Sequence, residues 1–446
     1  MKHLTLTSFY RIVLTISSIF AIYSCSDDDE SIINEETPIP ISSENPIAGD
    51  TGMIITLDSS KIQKGLILVN DIGNARVYLM NKLDASIAHE WNIDLKLGND
   101  VELLDNGKLL ASLKDKNALY DIGGYAGKIQ LINPDSSIEW EYTYSDEFRL
   151  SHHDIELLPN GNILILAWEI KSLAEAEEAG YDLSNTVERL FPESLIEVDP
   201  NTDQIVWQWN SWDHLIQDHD ISKNNYGEID KNPQLIDINY HYDERGDLMH
   251  ANGIDYDSEK DLIYLSINFY SEIWVIDHST TTAEASSHAS GNYNKGGDLV
   301  YRFGNPTAYK NTKGTRLFYN NHFPNILDKD EIGAGNLLVY MNGNIPGNEQ
   351  STVYELKLPD NFGLAPDQNN EPTIIWEFSD KELYSPLVSG AVRLSNGNTL
   401  ITEGSFGFWE VNENKEVIWQ FDGVNSFFWR GYHYDNDHPA ILNLNL

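Results

Sequence analysis

The sequence predicts an all-β chain, a six-bladed β-propeller with loop and short-helix insertions on one face, and three observations carry that expectation. The first is a unit that recurs beyond residue 50: a strand pair around an Asn-Gly type of turn, a strand ending in an acid or Asn, and a strand closing on an aromatic. The second is the closures themselves, Trp91, Trp140, Trp207, Tyr301, Trp376 and Trp419, which count six copies. The third is composition, since 23 Tyr, 15 Phe and 11 Trp with 30 Gly favour strands and turns over helices. Stacked β-sandwiches, the other all-β solution at this length, do not call for an aromatic closure in every copy.

In chain order, the first element is a leader. Met1-Lys2-His3 and Arg11 form a basic n-region, and the apolar run 12–22 is shorter than a typical membrane-spanning helix. Ile22-Tyr23-Ser24-Cys25 resembles a bacterial lipobox, so residues 1–24 are expected to be a lipoprotein signal peptide and Cys25 the lipidated first residue. The expected location is therefore the bacterial outer membrane, at the cell surface or on the periplasmic face, held by that lipid anchor alone. Residues 25–50, opening on Ser26-Asp27-Asp28-Asp29-Glu30 and continuing in Pro, Ser, Glu and Asn, read as a solvated linker. Residues 51–446 are the propeller domain.

Copies five and six show the unit best. Asn336-Leu337-Leu338-Val339-Tyr340 leads to Val353-Tyr354-Glu355-Leu356 and then to Ile374-Ile375-Trp376-Glu377-Phe378. In copy six, Asn396-Gly397 turns the hairpin, Phe408-Trp409-Glu410-Val411 follows, and Val417-Ile418-Trp419-Gln420-Phe421 closes. The copies average about 66 residues against the ~40–50 of a bare blade, and the surplus is assigned to insertions. These fall at 169–193, where Ser172 to Glu178 reads as a helix, at 210–247 and at 278–297, and together they form a lid.

Charge removes whole classes of function. The chain carries 29 basic and 70 acidic residues, a net charge of −41, and −43 when counted from Cys25, because Lys2 and Arg11 are the charged residues before it. Such a surface repels nucleic acid and anionic lipid headgroups. Cys25 is the only cysteine, which excludes disulfides within one chain and any cysteine-based metal site.

Propellers bind ligands in the central channel, so the residues just before the first hairpin strand of each copy are candidates. Copy three offers Ser151-His152-His153-Asp154, copy four Met249-His250-Ala251-Asn252-Gly253, and copy five Asn320-Asn321-His322-Phe323. Copy two offers Asn99-Asp100, and copy six offers Ser389. Three consecutive copies thus place a histidine at one address in a chain with 13 histidines. A ring of three histidines suits an open zinc site completed by Asp154 or Asp255. It equally suits covalent catalysis, in which one imidazole attacks and the others stabilise the charge that builds up. Spacing alone leaves both open.

Four segments carry a family resemblance: 152–162, from His152-His153-Asp154 to Pro159-Asn160-Gly161-Asn162; 249–256, Met249-His250-Ala251-Asn252-Gly253-Ile254-Asp255-Tyr256; Tyr301-Arg302-Phe303-Gly304-Asn305-Pro306; and 335–343, ending Tyr340-Met341-Asn342-Gly343. Over most of residues 60–440 the chain resembles the bacterial arylsulfotransferase family. The resemblance implies a six-bladed propeller and transfer of a sulfuryl group from an aryl sulfate donor to a phenolic acceptor. It implies a ping-pong course through a sulfated histidine, with no nucleotide donor, metal or other cofactor. By position, His322 matches the nucleophile, and His153 and His250 match the histidines that bind the sulfuryl oxygens. Asn252 matches a substrate-binding asparagine, with His152, Asn268 and Ser389 as further substrate-binding candidates. Asn268 stands where the family has an arginine, and Arg302, Lys310 and Arg316 are the cations nearest in sequence to replace it. The family's N-terminal dimerisation domain has no counterpart before residue 51, so no oligomeric state is predicted. Two other readings compete: a propeller that binds a small aromatic, glycan or protein ligand without chemistry, and a metal-dependent hydrolase built on the same histidines.

Overall fold

Among the described residues, alternating apolar side chains and tight turns give strands almost throughout, and the few helices are the short ones of the insertions and Pro439–Leu444 near the C-terminal end. The computed structural model describes residues 46–185 and 187–446; the expected signal peptide, Cys25 and the linker up to residue 45 lie outside the described residues. Among the described residues no helix is long and apolar enough to cross a membrane.

The fold is a β-propeller of antiparallel meanders. Hydrogen bonding does not separate it into equal four-stranded sheets, however. Three sheets have four strands, one has six and one has eight, beside two short two-stranded pairs. The eight-stranded sheet arises because Leu97–Leu103 and Arg149–Leu157 meet through a parallel pair at Asn99 and His153. The six-stranded sheet arises because Met53–Leu57 adds to the outer edge of Val417–Asp422 and Ile47–Ala48 adds to that.

The first strands of the meanders neighbour one another in a closed circuit. Leu97–Leu103 lies beside Arg149–Leu157, then come Ala251–Asp257, Asn321–Ile326, Ser389–Arg393 and Phe428–Tyr434, which returns to Leu97–Leu103. The last of these closes the ring: it pairs with Leu66–Asp71, so one meander takes its innermost strand from the C-terminal end of the chain.

All six closing aromatics lie on outermost strands of the meanders: Ile87–Trp91, Ile138–Thr143, Gln204–Asn210, Tyr301–Phe303, Thr373–Phe378 and Val417–Asp422. Trp91, Trp207, Tyr301 and Trp419 are buried between neighbouring sheets. Trp140 and Trp376 are half-buried and donate their indole N–H to Asp203 and to the Glu413 carbonyl. The hydrophobic cores sit between adjacent sheets rather than in the channel, as where Ile67, Tyr78 and Met80 meet Leu400, Phe408 and Trp419.

The insertions form as their caps dictate. Ser172 and Glu175 make a reciprocal capping box for the helix Leu173–Glu178, and Thr281 with Glu284 does the same for Thr282–Ala285. The insertions also meet one another. Asn224 N–H donates to Glu178 O in the first insertion, and His214 reaches Ala285 O in the third.

Candidate functional site

Each histidine of the predicted ring sits where an inner strand is irregular. The pairing of inner strand to second strand slips between Ser151 and Ile155, between Ala251 and Gly253, and between His322 and Pro324. Residues at these slips take positive φ: His153 at 53°, His250 at 51° and Phe323 at 49°. Bulges of this kind re-aim side chains that a regular strand would send to alternate faces. They also explain why the three histidines stand at unequal distances before their strands in sequence.

The rings converge. His153 and His250 lie edge to face with centroids 4.8 Å apart, and Trp429 stands 5.7 Å from His153 and 6.1 Å from His322. The turn Gly123-Gly124 lies against this group so closely that a Cβ at Gly124, where φ is +81°, would fall 2.0 Å from the His153 ring.

His322 has a defined tautomer. Its Nδ1 is 2.7 Å from Asn342 Oδ1, and Asn342 Nδ2 donates to Ser385 O and Leu387 O. Carbonyls only accept, so the amide orientation is fixed, Oδ1 is the acceptor, and His322 Nδ1 must carry the hydrogen. Nε2 is left with its lone pair. Burial, with smaller contributions from the His250 and Arg430 charges, pushes the His322 pKa down to about 3, so the ring is neutral near pH 7.

His250 is held in the opposite state. Burial alone would lower its proton affinity, but the carboxylate of Asp247, 2.5 Å from Nδ1, outweighs burial and raises it. With Nδ1 donating to Asp247, the raised proton affinity favours a hydrogen on Nε2 as well, which is the ring's one free donor.

His153 is backed by a relay. Its Nδ1 is 2.8 Å from His152 Nδ1, and His152 Nε2 is 2.9 Å from Glu193 Oε2. Burial first, then the Asp247 charge, raises Glu193 well above the usual carboxylate range, while burial keeps both histidines neutral. With Glu193 holding its proton, each member donates to the next, and His153 keeps its hydrogen on Nε2. That makes it a neutral N–H donor.

Several of the substrate-binding candidates are bonded to other residues of the site. His152 stacks its ring on Trp168 at 3.7 Å and has both nitrogens bonded, to His153 and to Glu193. Asn252 and Asn268 both donate to the carbonyl of Asn321, at 2.8 and 3.1 Å, joined by Ser266 Oγ at 3.2 Å. They clamp the strand immediately before His322. Ser389 accepts from Asn342 Nδ2 at 3.3 Å and so belongs to the support of His322.

None of the three cations nearest in sequence replaces the arginine. Arg302 is fully buried in an ion pair with Glu272, Lys310 is exposed and pairs with Asp218, and Arg316 bonds Phe318 O and Ser271 Oγ. The cation beside the histidines is Arg430, on the C-terminal inner strand. It bonds Asp154 with both Nη atoms at 2.8 Å, reaches Asn252 O at 3.3 Å, and lies 3.9 Å over the Phe323 ring. These partners are residues one or two after each histidine, so Arg430 ties the three strands together just beyond the ring. Asp247, Glu193, Asn342 and Arg430 are the members that sequence reasoning missed. For Arg430 a signal existed: the strand-like run 427–434 follows the last closure, and the first copy lacks an inner strand.

A cavity of about 440 Å³ opens next to Ile122, lined by Tyr120, Phe191 and Leu119 with the charges of Asp121, Glu188, Glu244, Arg189 and Arg245. A larger one, of about 670 Å³, lies among Ile62, Glu355, Trp376 and Arg393 and includes no histidine.

A family model described as Arylsulfotransferase (ASST) matches residues 51–427. No curated protein matches the chain. Among solved structures, a protein of unknown function from Bacteroides caccae is similar at 13% identity, covering 83% of this chain and 98% of that one, with a TM-score of 0.47. The β-propeller domain of Myceliophteria thermophila Cps50 (Swd1) is similar at 9% identity, covering 85% and 89%, with a TM-score of 0.40.

Proposed function

The chain belongs to the arylsulfotransferase family, and on that premise we propose that it moves a sulfuryl group from an aryl sulfate to a phenol through a sulfated His322. The observation that carries this reading is the Asn342 bond that leaves His322 Nε2 as a neutral, unprotonated nitrogen. In the first half-reaction Nε2 gives its lone pair to sulfur, the sulfur–aryl oxygen bond breaks, and the phenolate leaves with that electron pair. His250 supplies the proton the phenolate takes. In the second half-reaction the acceptor oxygen attacks sulfur, the N–S bond returns its pair to Nε2, and the acceptor's proton returns to His250. His153 Nε2–H donates to the sulfuryl oxygens throughout, and His250 Nε2–H, the hydrogen Asp247 does not hold, does so as charge builds in the transition state and then passes to the leaving phenolate. Arg430 is a positioning residue that holds the strands beneath the histidines. The cavity lined by Tyr120 and Phe191 offers aromatic faces for a phenyl ring, with Arg189 and Arg245 set among Asp121, Glu188 and Glu244.

Protein mixed with an aryl sulfate and no acceptor is expected to gain one acid-labile sulfuryl group on His322, detectable by intact-mass and peptide mass spectrometry. Ligand binding in the channel with no such adduct would favour the reading of a binding propeller.

The propeller is counted as six blades, with the eight-stranded sheet as two blades bridged at Asn99 and His153 and the N-terminal strands as an addition to the last blade. The closed circuit of inner strands supports this count. Residues 51–446 form that domain, residues 25–50 are its linker, and residues 1–24 are a signal peptide that delivers a lipid-anchored protein to the bacterial outer membrane. The lone Cys25 after the apolar run supports this. Cells fed a labelled fatty acid should tag the wild type and leave Cys25→Ser unlabelled; equal labelling rules the anchor out.

A further inference from the structure

Away from the channel, His214, His288 and Asp298 bring three ligand atoms within 4.8 Å of one another, the one such grouping of His, Cys, Asp or Glu among the described residues. His214 ends the turn Ser211–His214 and is buried, with its ring parallel to Trp209 at 5.9 Å. Its Nε2 lies 2.8 Å from the Ala285 carbonyl, which can only accept, so Nε2 carries the hydrogen. Its Nδ1 lies 2.8 Å from Asp298 Oδ1, and His288 Nδ1 lies 2.7 Å from the same oxygen. The seat is shaped for this. A Cβ on Gly297 would fall 1.9 Å from Ala285 O and 2.5 Å from His214 Nε2, and the Gly297 carbonyl accepts the Trp209 indole N–H at 2.7 Å.

Stacking, a backbone bond and a glycine thus aim one imidazole nitrogen at a buried carboxylate already approached by a second imidazole. Without a metal, His288 Nδ1–H can donate to Asp298 Oδ1, but His214 Nδ1, whose ring already carries its hydrogen on Nε2, is aimed as a lone pair at the same oxygen. A divalent cation satisfies all three donors at once. The carbonyl on the far nitrogen of His214 is the outer partner that ligating histidines characteristically have.

We propose that His214 Nδ1, His288 Nδ1 and Asp298 Oδ1 bind a zinc ion, with a fourth position open to water. Two imidazoles and a carboxylate suit zinc rather than calcium or magnesium. A tetrahedral zinc with bonds of ~2.0–2.1 Å holds its donors roughly 3.3 Å apart. His288, whose side chain is 63% exposed, is free to make that small retreat. The ion would clasp the 278–297 insertion, with Asp298 just after it, to the start of the 210–247 insertion, the segment that leads on to Arg245 and Asp247.

The test uses the full chain, freed of metal by a chelator and then titrated with ZnCl2 and, separately, CoCl2. The wild type should take up one equivalent of zinc by calorimetry and metal analysis, show the visible absorption of tetrahedral Co2+, and unfold at a higher temperature with zinc than without. His288→Ala, a change at an exposed side chain, should fold as the wild type does, bind zinc at least tenfold more weakly, and lose both the cobalt spectrum and the thermal shift. Asp298→Asn should lose the same signals. The proposal is overturned if the wild type takes up no zinc, or if His288→Ala binds zinc as tightly as the wild type. None of these readouts depends on sulfuryl transfer.

Discussion

Replacing His322 with alanine should abolish both the sulfuryl adduct and turnover, with kcat falling by about 10⁴-fold or more, the scale on which removal of a covalent nucleophile acts. The expectation follows from what surrounds the ring. Asn342 spends its donors on Ser385 O and Leu387 O, so its oxygen is committed to His322 Nδ1, and no other histidine of the group is held with a bare nitrogen and a fixed partner in this way. His250 is held towards its cation by Asp247, and His153 keeps a hydrogen on Nε2 because Glu193 stays protonated. Neither can take over the attack. Asn342→Leu is the informative companion: it removes the bond that selects the tautomer while leaving the imidazole, so it should slow adduct formation by about 10²-fold rather than stop it. The measurement is the rate of phenol release from a chromogenic aryl sulfate, with the adduct followed by mass. Wild-type turnover in His322→Ala would remove this residue as nucleophile.

The parts of this site that were legible in the sequence are those that repeat. Strand alternation and Asn-Gly turns recur locally, so the closing aromatics could be placed on outer strands one copy at a time. His153, His250 and His322 share a topological address that the recurrence exposes. What lay hidden depends on contacts between copies or on local slips of register. The bulges at Ser151 to Ile155 and at His322 to Pro324 add residues to one strand without leaving a compositional mark, which is why His152 and His153 were indistinguishable before the structure separated them. Asn268 illustrates the same limit. By resemblance to the family it stands at an arginine's place, yet its amide is committed to Asn321 O and Asn320 Nδ2, and a cation stands instead on the strand that begins at Phe428, far away in sequence. Ring closure by that C-terminal strand brings Arg430 to Asp154 across 276 positions of chain, a pairing that no local pattern encodes.

The second large effect is on pH dependence. Asp247→Asn should move the alkaline fall of kcat to lower pH and reduce kcat near pH 7 by about 10²-fold, the cost of one charge-stabilising donor. In the wild type, His250 lies above its ordinary pKa of 6.5 because the Asp247 carboxylate outweighs burial. On the proposed mechanism a cation at His250 is needed for turnover, so activity should be present while His250 is protonated and be lost as pH rises through the raised value. An amide at position 247 keeps a hydrogen-bonding partner but removes the charge, and burial then dominates and drops the His250 pKa below 6.5. His322, neutral down to about pH 3, adds no acid limb in the working range, so the shift should appear on the alkaline side alone. Stability follows the same sign. The raised pKa contributes stability that is fully present below pH 6.5 and is lost as pH rises through the folded-state value, and Asp247→Asn should remove that contribution. A pH–rate profile with its alkaline limb unmoved in Asp247→Asn would mean that His250 is not the group whose proton the reaction uses.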